Sequence, residues 1–349
     1  MKAAWFYGPG DIRILETERP GCPPGGALVQ LDGSLICGTD VKIYKGGHPR
    51  ITPPQIIGHE SCGRIVELKD STSDLKVGDR VTVQTSLPCG KCELCQQGLF
   101  NLCQTIEAIS WGYPGTFAEF VAIPAKAMAL GNLVKVPDSL SDEVACLAEP
   151  LACCINGQEL LKIVPGESVL IVGAGPIGIL QAELARMSGA GRILLAQRSE
   201  TRMAMARRFE YSDYIDTSKN DLVAEVKRLT GGKGVNVAIV TAPVKEAMEQ
   251  TLETLATRGR LSLFSSLPVG ASGITLDSRI IHYKEVSVYG ASSSTARQLQ
   301  KALDLLATRA MRTDQMVTHR LPLQQFEQGL QLAKSGKALK VYISNSLKA

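Results

Sequence analysis

Ser168-Val-Leu-Ile-Val-Gly173-Ala-Gly175-Pro176-Ile177-Gly178 is the stretch that decides the fold. A short apolar strand runs straight into G-x-G-x-x-G, and an amphipathic segment follows from Pro176 to Ser188. Gly173 permits the tight turn. Gly175 lets the backbone approach a pyrophosphate, and Gly178 lets the helix pack closely on the sheet. The phosphates would meet the free backbone groups where Pro176, Ile177 and Gly178 open the helix, assisted by its dipole. A lone G-x-G-x-x-G is weak evidence, but this one has a strand before it, a helix after it and further βα units behind it. Strand-type runs at 192–196, 235–240, 260–264 and 286–289, with a helix over 201–209, give the rhythm of a doubly wound parallel sheet.

The end of the second strand bears on which dinucleotide is bound. Sites for NAD usually place an acid there to hold the ribose 2′-hydroxyl. Here the chain reads Ala196-Gln197-Arg198-Ser199-Glu-Thr-Arg202, with Gln197 where the carboxylate is expected. Removing the acid removes repulsion against a 2′-phosphate, and Arg198 and Arg202 can pair with one. Solvated surface arginines are the bland alternative. We expect NADP(H) in preference to NAD(H).

Before this unit the chain is β-rich, with alternating runs at 27–31, 63–67 and 80–84 divided by Gly, Pro and Asp turns. Ser141-Asp142-Glu143 supplies a helix start. After it, a helix near 295–308, a helix over 322–335 closed by Gly336 and a strand over 340–344 are expected. The nucleotide unit, 153–290, would then be inserted between 1–152 and 291–349 of a first domain.

Cys89, Cys92, Cys95 and Cys103 are spaced C-x2-C-x2-C-x7-C. Four thiolates this close can converge on one tetrahedral Zn(II), whose closed shell leaves no position for substrate. An iron–sulfur run fits less well, since its last spacer is shorter and proline follows; here Gln104 follows. Outside this loop three segments carry ligand-type side chains: Cys37 in Cys37-Gly-Thr39-Asp40, His59-Glu60, and Glu149 in Glu149-Pro-Leu151. A thiolate, an imidazole and one carboxylate leave a fourth position open, which is the arrangement of a catalytic zinc. Such an ion acts as a Lewis acid, and a nicotinamide would carry the hydride. Taken singly these residues are weak, because a lone Cys in an apolar run is usually core. Two zinc ions per chain are expected.

The composition excludes several classes. Hydrophobic residues make up 44% and charged residues 21%, as in ordinary globular proteins, and a net charge of +4 without a basic arm disfavours nucleic acid. The most apolar stretch, 168–184, is broken by three glycines and a proline, so no membrane span is expected. No signal-peptide pattern opens the sequence, and four of its ten cysteines are claimed by zinc, so a reducing cytoplasm is expected.

These motifs together resemble the zinc-dependent medium-chain alcohol and polyol dehydrogenases over nearly the whole length. The resemblance rests on Gly58-His59-Glu60, Val77-Gly78-Asp79-Arg80-Val81, the four cysteines, Gly115-Thr-Phe-Ala-Glu119-Phe, Glu149-Pro-Leu151, the glycine turn and Val317-Thr-His-Arg320. It implies an α/β fold: a GroES-like, β-rich catalytic domain plus a Rossmann doubly wound parallel sheet, assembled as homodimers or homotetramers. In the sorbitol dehydrogenase-like branch, the catalytic zinc uses residues matching Cys37, His59 and Glu60. A glutamate matching Glu149 lies beside the metal and can exchange with water on it. Thr39 matches the hydroxyl that contacts the substrate oxygen and starts a proton relay. The run from Ala196 to Arg202 is similar to that of NADP-using ketose reductases. The substrate so implied is a small polyol, sugar or cyclitol.

Two departures are evident. An arginine of the sorbitol enzymes, in the segment after the last Rossmann strand, gives way here to Gly290-Ala-Ser292-Ser293-Ser294, and the relay histidine is replaced by Lys42. Lys42, Lys45, His48 and Arg50 form a basic cluster that could meet a phosphate or acid on the substrate, or be a solvated loop. A non-catalytic nucleotide-binding redox sensor is the rival reading. A zinc-free enoyl or quinone reductase lacks this ligand set.

Overall fold

The computed structural model describes residues 1–69, 73–268 and 270–347. It divides into two compact units. One comprises Met1–Ala152, Ser293–Arg309 and Thr313–Ala349; the other comprises Cys153–Ser292 and Ala310–Arg312.

The second unit is built on a six-stranded sheet, ordered Asp213–Asp216, Arg192–Gln197, Ser168–Val172, Val235–Val240, Leu255–Leu263 and Ser287–Gly290. Every neighbouring pair is parallel. The chain winds outward in both directions from Ser168–Val172, which is the doubly wound order. Helices Pro176–Met187, Glu200–Ala206, Leu222–Leu229 and Lys245–Thr251 make crossovers between strands. A parallel sheet covered on both faces needs apolar residues all along its central strands. Leu170, Val172, Leu194, Ala196, Ala238 and Val240 accordingly share one buried cluster.

Some expected elements change length here. The 201–209 helix is α-helical only over Glu200–Ala206 and tightens to a 3₁₀ turn at Arg207–Phe209. The strand expected at 260–264 begins earlier, at Leu255, and Arg258 within it takes φ 59°. That kink, next to Gly259, hides the start of the strand from an alternation pattern.

In the first unit a seven-stranded sheet runs Leu133–Lys135, Arg80–Val83, Glu60–Leu68, Ala27–Leu35, Lys340–Ser344 and Val317–Pro322, with Phe120–Ile123 also paired to Ala27–Leu35. Bulges in the pairing of Ala27–Leu35 with Glu60–Leu68 bend the sheet. Apolar clusters lie on its faces, one around Val29, Leu31, Ile65 and Val81, another around Ile36, Phe117, Phe326 and Val341. The helix near 295–308 is Ala296–Ala307, started by a Thr295/Gln298 capping box. The 322–335 segment is a 3₁₀ turn, Leu323–Gln325, then helix Phe326–Ser335, ended by Gly336 at φ 72°. Ser141 caps the short helix Asp142–Cys146 by accepting from the Val144 N–H. Among the described residues no helix is long and apolar enough to cross a membrane.

Candidate functional site

The four-cysteine loop lies between strands Ser86–Leu87 and Glu107–Ile109, folded by the single turns Glu93–Gln96 and Phe100–Leu102. Gly90 and Gly98 take left-handed conformations, φ 71° and 77°, that a side chain would resist. The sulfurs are 3.5 Å apart for Cys92–Cys95 and 3.9 Å for Cys89–Cys95 and Cys92–Cys103. Four sulfurs about 2.3 Å from a shared zinc would sit about 3.8 Å from each other. The loop therefore already has the dimensions of a tetrahedral thiolate site, and the spacing is far from that of a disulfide. All ten cysteines are free. The Lys91 and Cys92 amides donate to Cys89 Sγ at 3.4 and 3.3 Å, and they push that thiol down to about 5. Such amide donors favour the thiolate that a metal requires.

The second cluster is assembled from two distant pieces of chain. Cys37 is the N-cap of helix Gly38–Gly46, where the chain leaves strand Ala27–Leu35. His59 and Glu60 sit at the start of strand Glu60–Leu68, and Glu60 pairs with Leu35 across the ladder. One ligand atom each from Cys37, His59 and Glu60 lies within 4.8 Å of the others. Sulfur, nitrogen and oxygen donors together suit Zn(II). Thr39 lies exposed in the first turn of the same helix as Cys37. Glu149 is buried in the first turn of helix Ala148–Leu161, outside that three-residue group.

Two further residues support this cluster, and the sequence reading had given neither of them a role. Asp40 is fully buried; it accepts from the Cys37 amide at 2.8 Å and places a second oxygen 3.5 Å from His59 Nδ1. That carboxylate orients the ring so that Nε2 is the nitrogen left for a metal. Burial works against the charged imidazole, but Asp40 and the Cys37 sulfur outweigh it and hold His59 well above its ordinary value. Lys340 is the other. Its ammonium contacts both Glu60 oxygens, at 2.7 Å to Oε1 and closer still to Oε2, with both side chains sequestered from solvent. Burial disfavours the Lys340 charge, yet Glu60 and Cys37 more than offset this and keep it raised. Asp40 was visible in Cys37-Gly-Thr39-Asp40 as a residue at N3, where a side chain can reach back to the N-cap. No local signal marks Lys340.

The basic cluster after Cys37 splits. Lys42 and Lys45 are exposed, whereas His48 and Arg50 gather on Trp111, at 5.5 Å between ring centroids and 4.6 Å from guanidinium to ring. In the segment after the last Rossmann strand, Ser294 accepts from Gln84 at 2.8 Å and Ser293 meets Ser86 at 3.0 Å.

At the glycine turn, a Cβ on Gly178 would fall 1.8 Å from the Gly173 carbonyl oxygen, so only glycine fits. A Cβ on Gly175 would instead meet nothing closer than Arg202 Nη1 at 3.4 Å. That opening, at the start of helix Pro176–Met187 where Pro176 and Ile177 lead, would leave room for a pyrophosphate to approach. Gln197 Oε1 accepts from the Arg198 and Ser199 amides at 2.7 and 3.0 Å. Its oxygen is thus spent on the backbone. Neither Arg198 nor Arg202 has an ion-pair partner among the described residues. Arg198 is exposed, while burial pushes the Arg202 guanidinium below its ordinary value.

Residues 23–138 match the alcohol dehydrogenase GroES-like domain, and residues 176–308 match the zinc-binding dehydrogenase domain. The L-threonine 3-dehydrogenase of Pyrococcus horikoshii is 33% identical over 98% of this chain and 96% of its own. The chain belongs to the zinc-dependent medium-chain dehydrogenases. Solved members of this family are close in shape. A zinc-binding dehydrogenase of Sinorhizobium meliloti 1021, solved bound to NADP, superposes with a TM-score of 0.90 at 31% identity over 98% of both chains. The 2R,3R-butanediol dehydrogenase of Bacillus subtilis gives 0.89 at 28% identity over 99% of both. The dehydrogenase is accordingly an enzyme of alcohol oxidoreduction acting on small molecules, with the GroES-like and Rossmann folds expected of it.

Proposed function

We propose that the enzyme interconverts a secondary alcohol and its ketone on a polyol, a sugar (phosphorylated or not) or a cyclitol, using NADP(H) in preference to NAD(H) and two zinc ions per chain. The convergence of Cys37, His59 and Glu60, with Asp40 bracing two of them, carries this reading. Cys37, His59 and one carboxylate, Glu60 or Glu149, would hold the catalytic ion. Cys89, Cys92, Cys95 and Cys103 would hold the structural one. Zinc supplies Lewis acidity toward an alcohol or carbonyl oxygen, and the nicotinamide exchanges the hydride. The protein's own part is to fix the donors and to relay the substrate's hydroxyl proton, the exposed Thr39 accepting it as its own hydroxyl proton passes to solvent. The buried carboxylate of Glu60 or Glu149 would aid that proton's departure.

Arg202 beside the open Gly175, and Arg198, neither with an ion-pair partner among the described residues, support NADP(H), as does NADP in the Sinorhizobium relative. A second substrate reading, the 3-hydroxyl of a 2-amino acid, is favoured by the threonine dehydrogenase relatives. Both readings place a polar group beside a secondary carbinol carbon. We further infer a homodimer or homotetramer, since strand Ser287–Gly290 is a sheet edge with Val288 and Tyr283 exposed beside it, and a cytoplasmic location, which the ten free cysteines support.

The test joins a metal count to a substrate screen. Wild type should hold two zinc ions and turn over at least one polyol, sugar phosphate, cyclitol or L-threonine faster with NADP than with NAD. Cys37→Ser should hold one zinc, keep its fold and dinucleotide affinity, and lose turnover. Full activity in that variant would defeat the proposal in favour of a metal-independent enzyme, and a wild type that turns over none of these substrates would favour a non-catalytic protein.

A further inference from the structure

The basic segment that follows Cys37 ends against an indole. The His48 ring and the Arg50 guanidinium both approach Trp111, and the Arg50 amide donates to His48 Nδ1 at 3.2 Å, closing a turn between them. Burial and the Arg50 charge hold the imidazole below its ordinary value, so the positive charge at this ring belongs to Arg50. Trp111 is half-buried and packs on the apolar cluster of Ile43, Ile51 and Ile57. Ser110 before it is sealed from solvent at φ 89°, and its Oγ accepts from the Gly58 amide at 3.2 Å. The next residue after Gly58 is His59, a proposed zinc ligand. Residues other than glycine rarely hold that conformation, and those that do gather at sites where side chains must be placed.

We propose that Arg50 is a specificity-determining residue that binds an anionic substituent, a carboxylate or a phosphate, on the substrate. A guanidinium over an indole uses its π surface there, so its in-plane N–H groups remain available for a forked pair of bonds to an acid. Arg50 has no ion-pair partner among the described residues to occupy them. The indole also restricts the arginine's rotamers, so less freedom is lost when an anion binds. An acid group unites the two substrate readings above, since a sugar phosphate and a 2-amino acid each carry one.

The inference rests on the catalytic reading above and narrows its substrate. Zinc-loaded enzyme is assayed on two matched pairs, sorbitol 6-phosphate with sorbitol and L-threonine with L-threoninol. The pair that is turned over tells a phosphate from a carboxylate, and wild type should favour its acidic member. In Arg50→Gln that preference should fall roughly 10- to 100-fold, the worth of one charge-assisted bond, with the loss in KM more than in kcat. A second arm needs no turnover. Trp5→Phe leaves Trp111 as the one indole of the chain. Inorganic phosphate or acetate, at an ionic strength fixed with chloride, should then change its emission, with about tenfold weaker affinity once Arg50→Gln is added. A preference for the neutral member, or one unchanged in Arg50→Gln, would overturn the proposal. So would an emission that neither anion moves, or that both move equally in Arg50→Gln. If no compound is turned over, the catalytic reading fails instead, and the titration alone decides whether Arg50 holds an anion.

Discussion

At the scale of single residues, the chemistry depends on side chains that orient others. Asp40 bonds the backbone of one proposed ligand and faces the ring of another, so Asp40→Asn should act on metal retention rather than on folding. The expected loss is about 10- to 100-fold in zinc affinity at the catalytic site, measured by chelator competition, with the second zinc unaffected. Arg202 offers a separate test. Its guanidinium lies against the glycine turn with no ion-pair partner among the described residues. Arg202→Ala should weaken NADPH binding by roughly 10- to 100-fold, the worth of one charge-assisted bond, and leave NADH nearly untouched. Equal losses for both cofactors would instead place Arg202 on the pyrophosphate. Cysteine spacing and the glycine turn were legible because each requirement is local. The Asp40 contact to His59 and the Lys340 grip on Glu60 were not. They depend on strand register between segments 280 residues apart in the case of Glu60 and Lys340.

Elements were legible where one period dominated. Ser168–Val172, Val235–Val240 and Lys340–Ser344 coincide with the strands expected at those positions, since each is a compact apolar run bounded by polar or turn residues. Strand Asp213–Asp216 and helix Leu222–Leu229 were not singled out. The former reads Asp-Tyr-Ile-Asp, with a single fully buried side chain, and gains strand status only by pairing with Arg192–Gln197. The element most exposed to a single substitution is the strand–turn–helix of the proposed dinucleotide site. A methyl group at Gly178 would overlap the Gly173 carbonyl, and both partners are backbone, so neither can rotate away. Gly178→Ala should therefore cost about 3 kcal/mol of stability in denaturant titration and abolish the fluorescence change on NADPH binding. An alanine variant that binds normally would show that the turn is looser than its spacing implies.

Across the whole molecule, charges buried inside a unit set its tolerance of acid. Glu183, in helix Pro176–Met187, is almost wholly enclosed and is bonded by Arg312 and Arg186. Burial pushes its carboxyl up, but those two arginines and the Arg312 amide more than reverse this and hold it below its ordinary value. A group lowered on folding contributes its stability above the unfolded value and loses it as pH falls through the folded one. Glu183→Gln should thus cost roughly 3 kcal/mol at neutral pH, with the gap to wild type closing below about pH 4. A gap that does not narrow in acid would mean that packing, not charge, holds this helix. The βα rhythm of the parallel sheet was readable from the sequence, since its central strands are compact apolar runs. Residues 310–312, which group with that sheet, carry no such pattern of their own.

The interleaving of the first unit also orders events during synthesis. Cys89 to Cys103 emerge together from the ribosome, so the loop can be metallated while most of the chain is still untranslated. The other cluster is completed only when Lys340, which pairs with Glu60, has emerged, since its strand is wedged between Ala27–Leu35 and Val317–Pro322. Until then the Glu60 carboxylate has no ammonium to neutralise it in that sheet. A nascent chain would accordingly complete its two proposed metal sites in sequence, the four-cysteine loop first and the Cys37–His59 cluster, with its Glu60–Lys340 pair, last.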